Sequence, residues 1–265
     1  MNNPTLNVNP TMCCREYPQA GAPELAREAA SKKEGTHVGK RISRPSVREG
    51  YDLWAEAYNT TSNPVVALDR RHTIAHLRPQ HGERILDAGC GTGINLRRIV
   101  EAGGCPVGLD FSQGMLRVAQ RSVPGVPLAQ ADLHRALPLR HGRFDGFLCA
   151  LVSEHLENLQ TLFTEAFAVV RAGGRLVFSA FHPEVARAGV EANFERDGVE
   201  YRLGAEPYTV DDYLNHIYNA GFRDLRWRDY SVDAPLVADI PWASKYLGRP
   251  LLFLVEAERP GLRAA

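Results

Sequence analysis

Cysteine is scarce, and what there is fits no ligand pattern. The chain has 265 residues and 5 cysteines, Cys13, Cys14, Cys90, Cys105 and Cys149. None belongs to a C-x-x-C pair, and adjacent Cys13-Cys14 is a poor metal-binding pattern, so no metal site is expected. An odd, irregular set reads as reduced thiols and a cytoplasmic protein. Net charge is lacking too. Lys+Arg is 31 and Asp+Glu is 31, a balance of +0. A nucleic-acid partner usually demands a basic footprint, so none is expected, and a small molecule is favoured. No apolar run approaches membrane-spanning length. The N-terminus lacks the charged-then-apolar pattern of a secretory signal. What is present is ordinary globular composition, 44% hydrophobic. That suffices for a sizeable core in one domain with an appendage.

The stretch around which the chain is organised is Ile85-Leu86-Asp87-Ala88-Gly89-Cys90-Gly91-Thr92-Gly93-Ile94. Two apolar residues close a short strand, three glycines alternate through a turn, and a helical run follows. Glycines let a ligand approach the backbone, and N–H groups at a helix start face whatever is bound. The spacing is G-x-G-x-G. Ile94 stands where the dinucleotide fingerprint wants its last glycine. Asp87, at the strand end, would repel a pyrophosphate but accept hydrogen bonds from an ammonium group. The ligand should therefore carry positive charge near the loop.

Further landmarks follow in order. Val107-Gly108-Leu109-Asp110-Phe111-Ser112 ends a second strand in an acid, at about the ~20-residue offset of a ribose-binding carboxylate. Ala131-Asp132-Leu133 follows a third strand. Phe144-Asp145-Gly146-Phe147-Leu148-Cys149-Ala150-Leu151 is a fourth. These four motifs resemble those of the class I S-adenosylmethionine-dependent methyltransferases, small-molecule branch, over about residues 51–258. The resemblance implies S-adenosyl-L-methionine as cofactor and S-adenosyl-L-homocysteine as product. It places Asp87, Gly89, Cys90, Gly91, Asp110 and Asp132 in the cofactor site, with Cys90 contributing backbone. Phe111, Met115 and Leu133 would flank the adenine, Ala150 would close the fourth strand beside it, and Tyr51 or Tyr58 would lie near the sulfonium.

Strands alternating with helices imply an α/β fold, a doubly wound and mainly parallel sheet with helices on both faces. The resemblance implies seven strands with an antiparallel last strand. Residues 1–44 read as a flexible tail or partial lid, with a short helix possible over 24–33, and 45–265 as the methyltransferase domain. Residues 46–59 are a helix candidate, with Tyr51, Trp54, Ala55 and Tyr58 on one face; this would be an N-terminal helical lid. Ser112 is a candidate N-cap. Strand five spans 175–180 and is followed by an insertion at about 181–208. There, Asp197-Gly198 between two alternating runs signals a hairpin. Thr209-x-x-Asp212 reads as a capping-box variant opening the next helix. Residues 222–231 and 250–258 read as the last strands, with a loop between them.

Methyl transfer from a sulfonium is a direct displacement, so alignment and exclusion of water come first. A base is needed only for some acceptors. His155, past strand four, and His182, past strand five, are the catalytic candidates; each could be a base near neutral pH or a structural histidine. Glu154 and Glu184 are weaker ones. The N/D-P-P-Y/F signature of amino-group methylation is missing from Ala150-Leu151-Val152-Ser153. The expected reaction is methylation at O, C or N of a small, hydrophobic or aromatic metabolite, of natural-product or quinone-like type, by a monomer or homodimer. An RNA or protein methyltransferase, a nicotinamide-dependent oxidoreductase and a non-catalytic cofactor-binding scaffold are the alternatives.

Overall fold

The computed structural model describes residues 41–261. Most of the expected tail, including the possible helix at 24–33, lies outside the described residues. The principal sheet is built from β2 (Arg84–Ala88), β3 (Cys105–Asp110), β4 (Leu128–Gln130), β5 (Phe144–Ala150), β6 (Val170–Phe181), β9 (Arg223–Ser231) and β10 (Pro250–Glu258). Their order is β4-β3-β2-β5-β6-β10-β9. The pairings among β2 to β6 are parallel, and β10 runs antiparallel to both β6 and β9. Strand order reverses between β2 and β5, and the crevice at such a switch point is where ligands bind in these sheets.

Both faces of the sheet are buried, so its central strands are continuously apolar rather than alternating. Ile85, Leu148, Val177 and Leu254 pack with Leu77 of α2 (Pro64–Leu77) and Ile99 of α3 (Ile94–Glu101). Their neighbours Leu86, Phe147, Phe178 and Phe253 point the other way. They meet Phe163 of α5 (Leu159–Val169) and Tyr213 and Ile217 of α7 (Val210–Asn219). Ser112 caps α4 (Gln113–Ser122) by accepting from Met115 N. Thr209 and Asp212 form a reciprocal capping box on α7.

A second sheet stands outside this core. β7 (Asn193–Arg196) and β8 (Val199–Arg202) form the expected hairpin, with Asp197 and Gly198 both at positive φ (52° and 73°), as a tight primed turn requires. β1 (Arg41–Ser43) adds to it in parallel with β8. The insertion also holds the short helix α6 (Pro183–Arg187).

Three local differences from the sequence reading have clear causes. Helix α1 (Val47–Trp54) stops five residues before the expected end. The Ala57 carbonyl is taken by the amides and hydroxyls of Thr60 and Thr61, which close a short 3-10 turn instead. Strand β6 begins at Val170, not 175. The Arg259 guanidinium satisfies the carbonyls of Phe167, Ala168 and Val170, so α5 ends cleanly there. The expected loop before β10 contains α8 (Ala234–Asp239), N-capped by Asp233, and a 3-10 turn over Pro241–Tyr246. It buries Leu236, Ile240 and Ala243 against Val65 and Leu68 of α2.

Candidate functional site

The glycine turn leaves the end of β2 and is fixed by the neighbouring strand. The Gly89 and Cys90 amides both donate to the Leu109 carbonyl, at 2.7 and 2.9 Å. The Gly91 amide donates to Asp110 Oδ2 at 2.8 Å. Gly89 is required twice over: its φ is +85°, and a Cβ there would lie 2.2 Å from Val152 Cγ2. At Gly91 a Cβ would meet nothing within 4 Å, so this side of the turn is open. Helix α3 starts directly behind, with no side chain capping its N-terminus.

Acids surround the turn. Asp87 is 1% exposed, and neither carboxylate oxygen has a hydrogen-bond partner among the described residues. Burial, with Asp69 and Asp110 adding negative charge, pushes its carboxyl well above the ordinary range. Asp110 accepts from Ser112 N at 2.8 Å through its other oxygen. Burial raises it to about 6, opposed by the amides of Ser112 and Gly91. Asp132 differs. Burial raises it, but His134 and Arg135 outweigh that and hold it below its usual value. His134 donates Nδ1–H to Asp132 (2.9 Å) and accepts from Glu157 N (3.3 Å), tying Asp132 to the loop after β5.

The apolar candidates divide by exposure. Phe111 is 39% exposed beneath the Arg48 guanidinium. Met115 and Leu133 are buried in the core. Ala150, at the end of β5, is half-buried. The Cys90 and Cys149 thiols are buried and pushed well up by desolvation, so neither is a nucleophile at neutral pH.

Helix α1 and the hairpin share a small aromatic core. Trp54 stacks on Phe194, and Phe194 on Tyr201, each at 4.8 Å between centroids. Tyr51 and Tyr58 pack against this cluster, and burial raises both phenols. The Tyr51 hydroxyl reaches His155 Nε2 at 2.9 Å. His155 Nδ1 is buried without a partner among the described residues, and burial lowers the imidazole to about 4. His182 sits elsewhere. It is the N-cap of α6, its Nδ1 accepts from Glu184 N at 3.3 Å, and its Nε2 lies 3.4 Å from Asp229. Among the described residues its ring hydrogen-bonds within α6, away from the glycine turn.

Two residues were not among the sequence candidates. Asp52 Oδ1 accepts from Ser112 Oγ (2.7 Å) and Gly114 N (2.6 Å), clamping α1 onto the start of α4 beside Asp110. A Cβ at Gly114 would lie 2.9 Å from Asp52 Cα, so a glycine permits the contact. Asn59 accepts from Thr92 Oγ1 of the glycine turn at 2.9 Å. Both lie in the stretch 46–59 whose aromatic face was noted, and no local pattern marked either one. Among the described residues, no group of three His, Cys, Asp or Glu could hold a metal, and no helix is long and apolar enough to cross a membrane.

Comparison with known proteins gives the same picture. Residues 86–178 match the model of a methyltransferase domain. A demethylmenaquinone methyltransferase of Streptomyces avermitilis is 31% identical over 139 residues, covering 50% of this chain and 59% of that protein. An uncharacterized methyltransferase of Emericella nidulans is 30% identical, covering 71% of this chain and 79% of the relative. Among solved structures, an S-adenosylmethionine-dependent methyltransferase from Mesorhizobium loti superposes with a TM-score of 0.63 at 25% identity, over 74% of this chain and 100% of that one.

Proposed function

Since the chain belongs to the class I S-adenosylmethionine-dependent methyltransferases, we propose that it binds S-adenosylmethionine across the glycine turn and methylates a small, hydrophobic acceptor with a quinone-like or other aromatic ring. The observation that carries the cofactor half is Asp87. A carboxylate with two unpartnered, buried oxygens is unstable unless a cation or hydrogen-bond donor reaches it. An α-ammonium group meets that need, and a pyrophosphate does not. The open side of Gly91 leaves room for the ligand's approach.

The bound cofactor supplies a methyl group on positively charged sulfur, already activated for displacement. The chain's own residues then align and exclude water. Asp110 is suited to accept from ribose hydroxyls while holding the turn through Gly91. Asp132, kept ionised by His134 and Arg135, is suited to the adenine amino group. Phe111 and Ala150 would wall the base, Met115 and Leu133 would back it from the core, and Cys90 would contribute backbone. Tyr51 and Tyr58, on the aromatic cluster of α1 and the hairpin, would roof the methionine end and the acceptor. His155 would orient the acceptor with its Tyr51 partner. His182 is assigned to the frame, because it is buried and its Nδ1 caps α6.

The acceptor class rests on two supports. The roof is aromatic, and the Streptomyces relative is named for a quinone substrate. Calorimetric titration with S-adenosylhomocysteine, with NADH as control, tests the cofactor. Micromolar binding of the first alone, on the order of 8 kcal/mol, supports the reading and opens an acceptor screen by mass shift. Binding of NADH alone would overturn it.

A further inference from the structure

The loop after β5 carries a carboxylate that cofactor binding leaves unused. Leu151 has a φ of +55°, a left-handed conformation that is uncommon for a residue with a side chain. This bend leads into the 3-10 turn Ser153–His155. The turn is held from the insertion side, where Glu206 N donates to the Glu154 carbonyl at 2.8 Å. The Glu154 side chain is 3% exposed, and its Oε2 has no partner among the described residues.

Among the described residues, the groups around Glu154 offer it no ion pair. Its charge is felt by the Tyr51 and Tyr58 phenols of the roof and by the Cys149 thiol of β5. Tyr213 of α7, bonded to Ser153 Oγ at 3.2 Å, feels it as well. From α2 it faces Asp69, whose Oδ1 is occupied by the hydroxyls of Ser179 and Thr73. Arg70 lies beyond, charge-coupled to Asp69 and Tyr58.

We propose that Glu154 is the catalytic base that takes the proton from a phenolic or hydroquinone hydroxyl of the acceptor, a step that rests on the methyltransferase reading above. The acceptor's O–H bond breaks and its proton goes to Glu154 Oε2. The electron pair left on oxygen, or shared with an adjacent ring carbon, forms the bond to the methyl carbon. The methyl carbon's bond to sulfur breaks, and that pair stays on sulfur. When the new bond is to ring carbon, the ring proton then leaves and the oxygen regains one, so one proton is released either way.

His155 is the worse base. Its Nε2 is occupied by Tyr51, and burial lowers it to about 4. Burial raises Glu154 to about 7, with Asp69 adding to the rise, which is nearer the value of a phenol at about 10.

The test uses the full chain loaded with S-adenosylhomocysteine and two probes, 2-naphthol and 2-methoxynaphthalene, which differ in the hydroxyl proton. Wild type is expected to prefer naphthol about 10-fold at pH 8, with the preference fading as the pH falls below 7. Glu154→Gln should lose the preference and its pH dependence while keeping its S-adenosylhomocysteine affinity, which also reports that it is folded. Glu154→Asp, which withdraws the carboxylate by one methylene, should keep part of it. An unchanged preference in Glu154→Gln overturns the proposal. So does loss of cofactor affinity in that variant alone, which would make Glu154 a cofactor ligand, or failure of wild type to bind naphthol. If wild type binds no S-adenosylhomocysteine, the methyltransferase reading itself falls, and this proposal with it.

Discussion

Asp87→Asn should stabilise the ligand-free protein and weaken its hold on the cofactor. The carboxyl is buried and unpartnered, and its folded-state value is raised well above the unfolded one. The folded chain therefore keeps this proton more tightly than the unfolded chain does. The stability it contributes is complete below the unfolded value near 4. It is lost as pH rises toward the folded value, by about 1.4 kcal/mol per pH unit. An asparagine does not ionise and escapes this loss. Relief on the order of 1–3 kcal/mol is expected near neutral pH, one to two pH units of that slope, because the amide's own unpartnered groups offset the remainder. For a domain of this size that is roughly 2–10 °C in Tm. Against the cofactor the sign reverses. A charge-assisted hydrogen bond to an ammonium group contributes about 1.5–3 kcal/mol, so affinity should fall about 10- to 100-fold. Melting curves at pH 5 and pH 8, with and without S-adenosylhomocysteine, measure both. The variant should melt above wild type at pH 8, with a smaller gap at pH 5, and gain less from ligand. A variant melting at or below wild type at pH 8, with an undiminished ligand shift, would refute the reasoning.

The other predictions concern neighbouring residues. Asp110→Ala removes an acceptor for ribose and the tether of Gly91, so titration should give cofactor affinity about 10- to 100-fold weaker; unchanged affinity would sink the assignment of the turn. His155→Ala should lower turnover at nearly constant cofactor affinity. His182→Ala should instead remove the α6 cap and reduce stability by about 1 kcal/mol. The reverse pattern in paired melting and turnover measurements would exchange their roles. Because burial lowers His155 to about 4, its contribution to stability is complete above about 6.5 and is lost as pH falls toward 4, on the order of 3 kcal/mol in all. His155→Leu should accordingly flatten the fall in Tm over that range, and an unaltered acid slope would show that the imidazole is solvated.

How much of this was legible in the sequence depended on how local the cause was. The strand ends at Asp110 and Ala150, the Ser112 cap, the Thr209 capping box and the Asp197-Gly198 turn all rest on interactions within a few residues, and each was read at or near its observed place. The departures involve partners far along the chain. Arg259 ends α5 from about 90 residues away, and the helix in the loop before β10 is held by burial against α2. The site divides in the same way. The glycine turn and its acids stand in a spaced motif. The Asp52 clamp onto Ser112 and Gly114, and the Tyr51–His155 contact, join segments 60 and 104 residues apart.

The acids also sort by what balances them. Asp132 has His134 and Arg135 beside it and is held ionised without any ligand, which suits the hydrogen-bonding edge of a neutral base. Asp87, Asp69 and Glu154 are buried together, and each is raised by burial with further charge from another acid or, for Asp69, against its two hydroxyl donors. Of these, Asp69 has its hydroxyl donors, while Asp87 and Glu154 keep unpartnered oxygens. A folded chain maintains such a cluster at a cost in stability, and an apolar core of the same volume would not bear it. A cationic ligand lowers the carboxyl values it approaches, so its binding free energy includes relief of that repulsion. On the proposed reading, the same cluster that costs stability would favour a positively charged ligand at Asp87, and Glu154 Oε2 would be left for the acceptor.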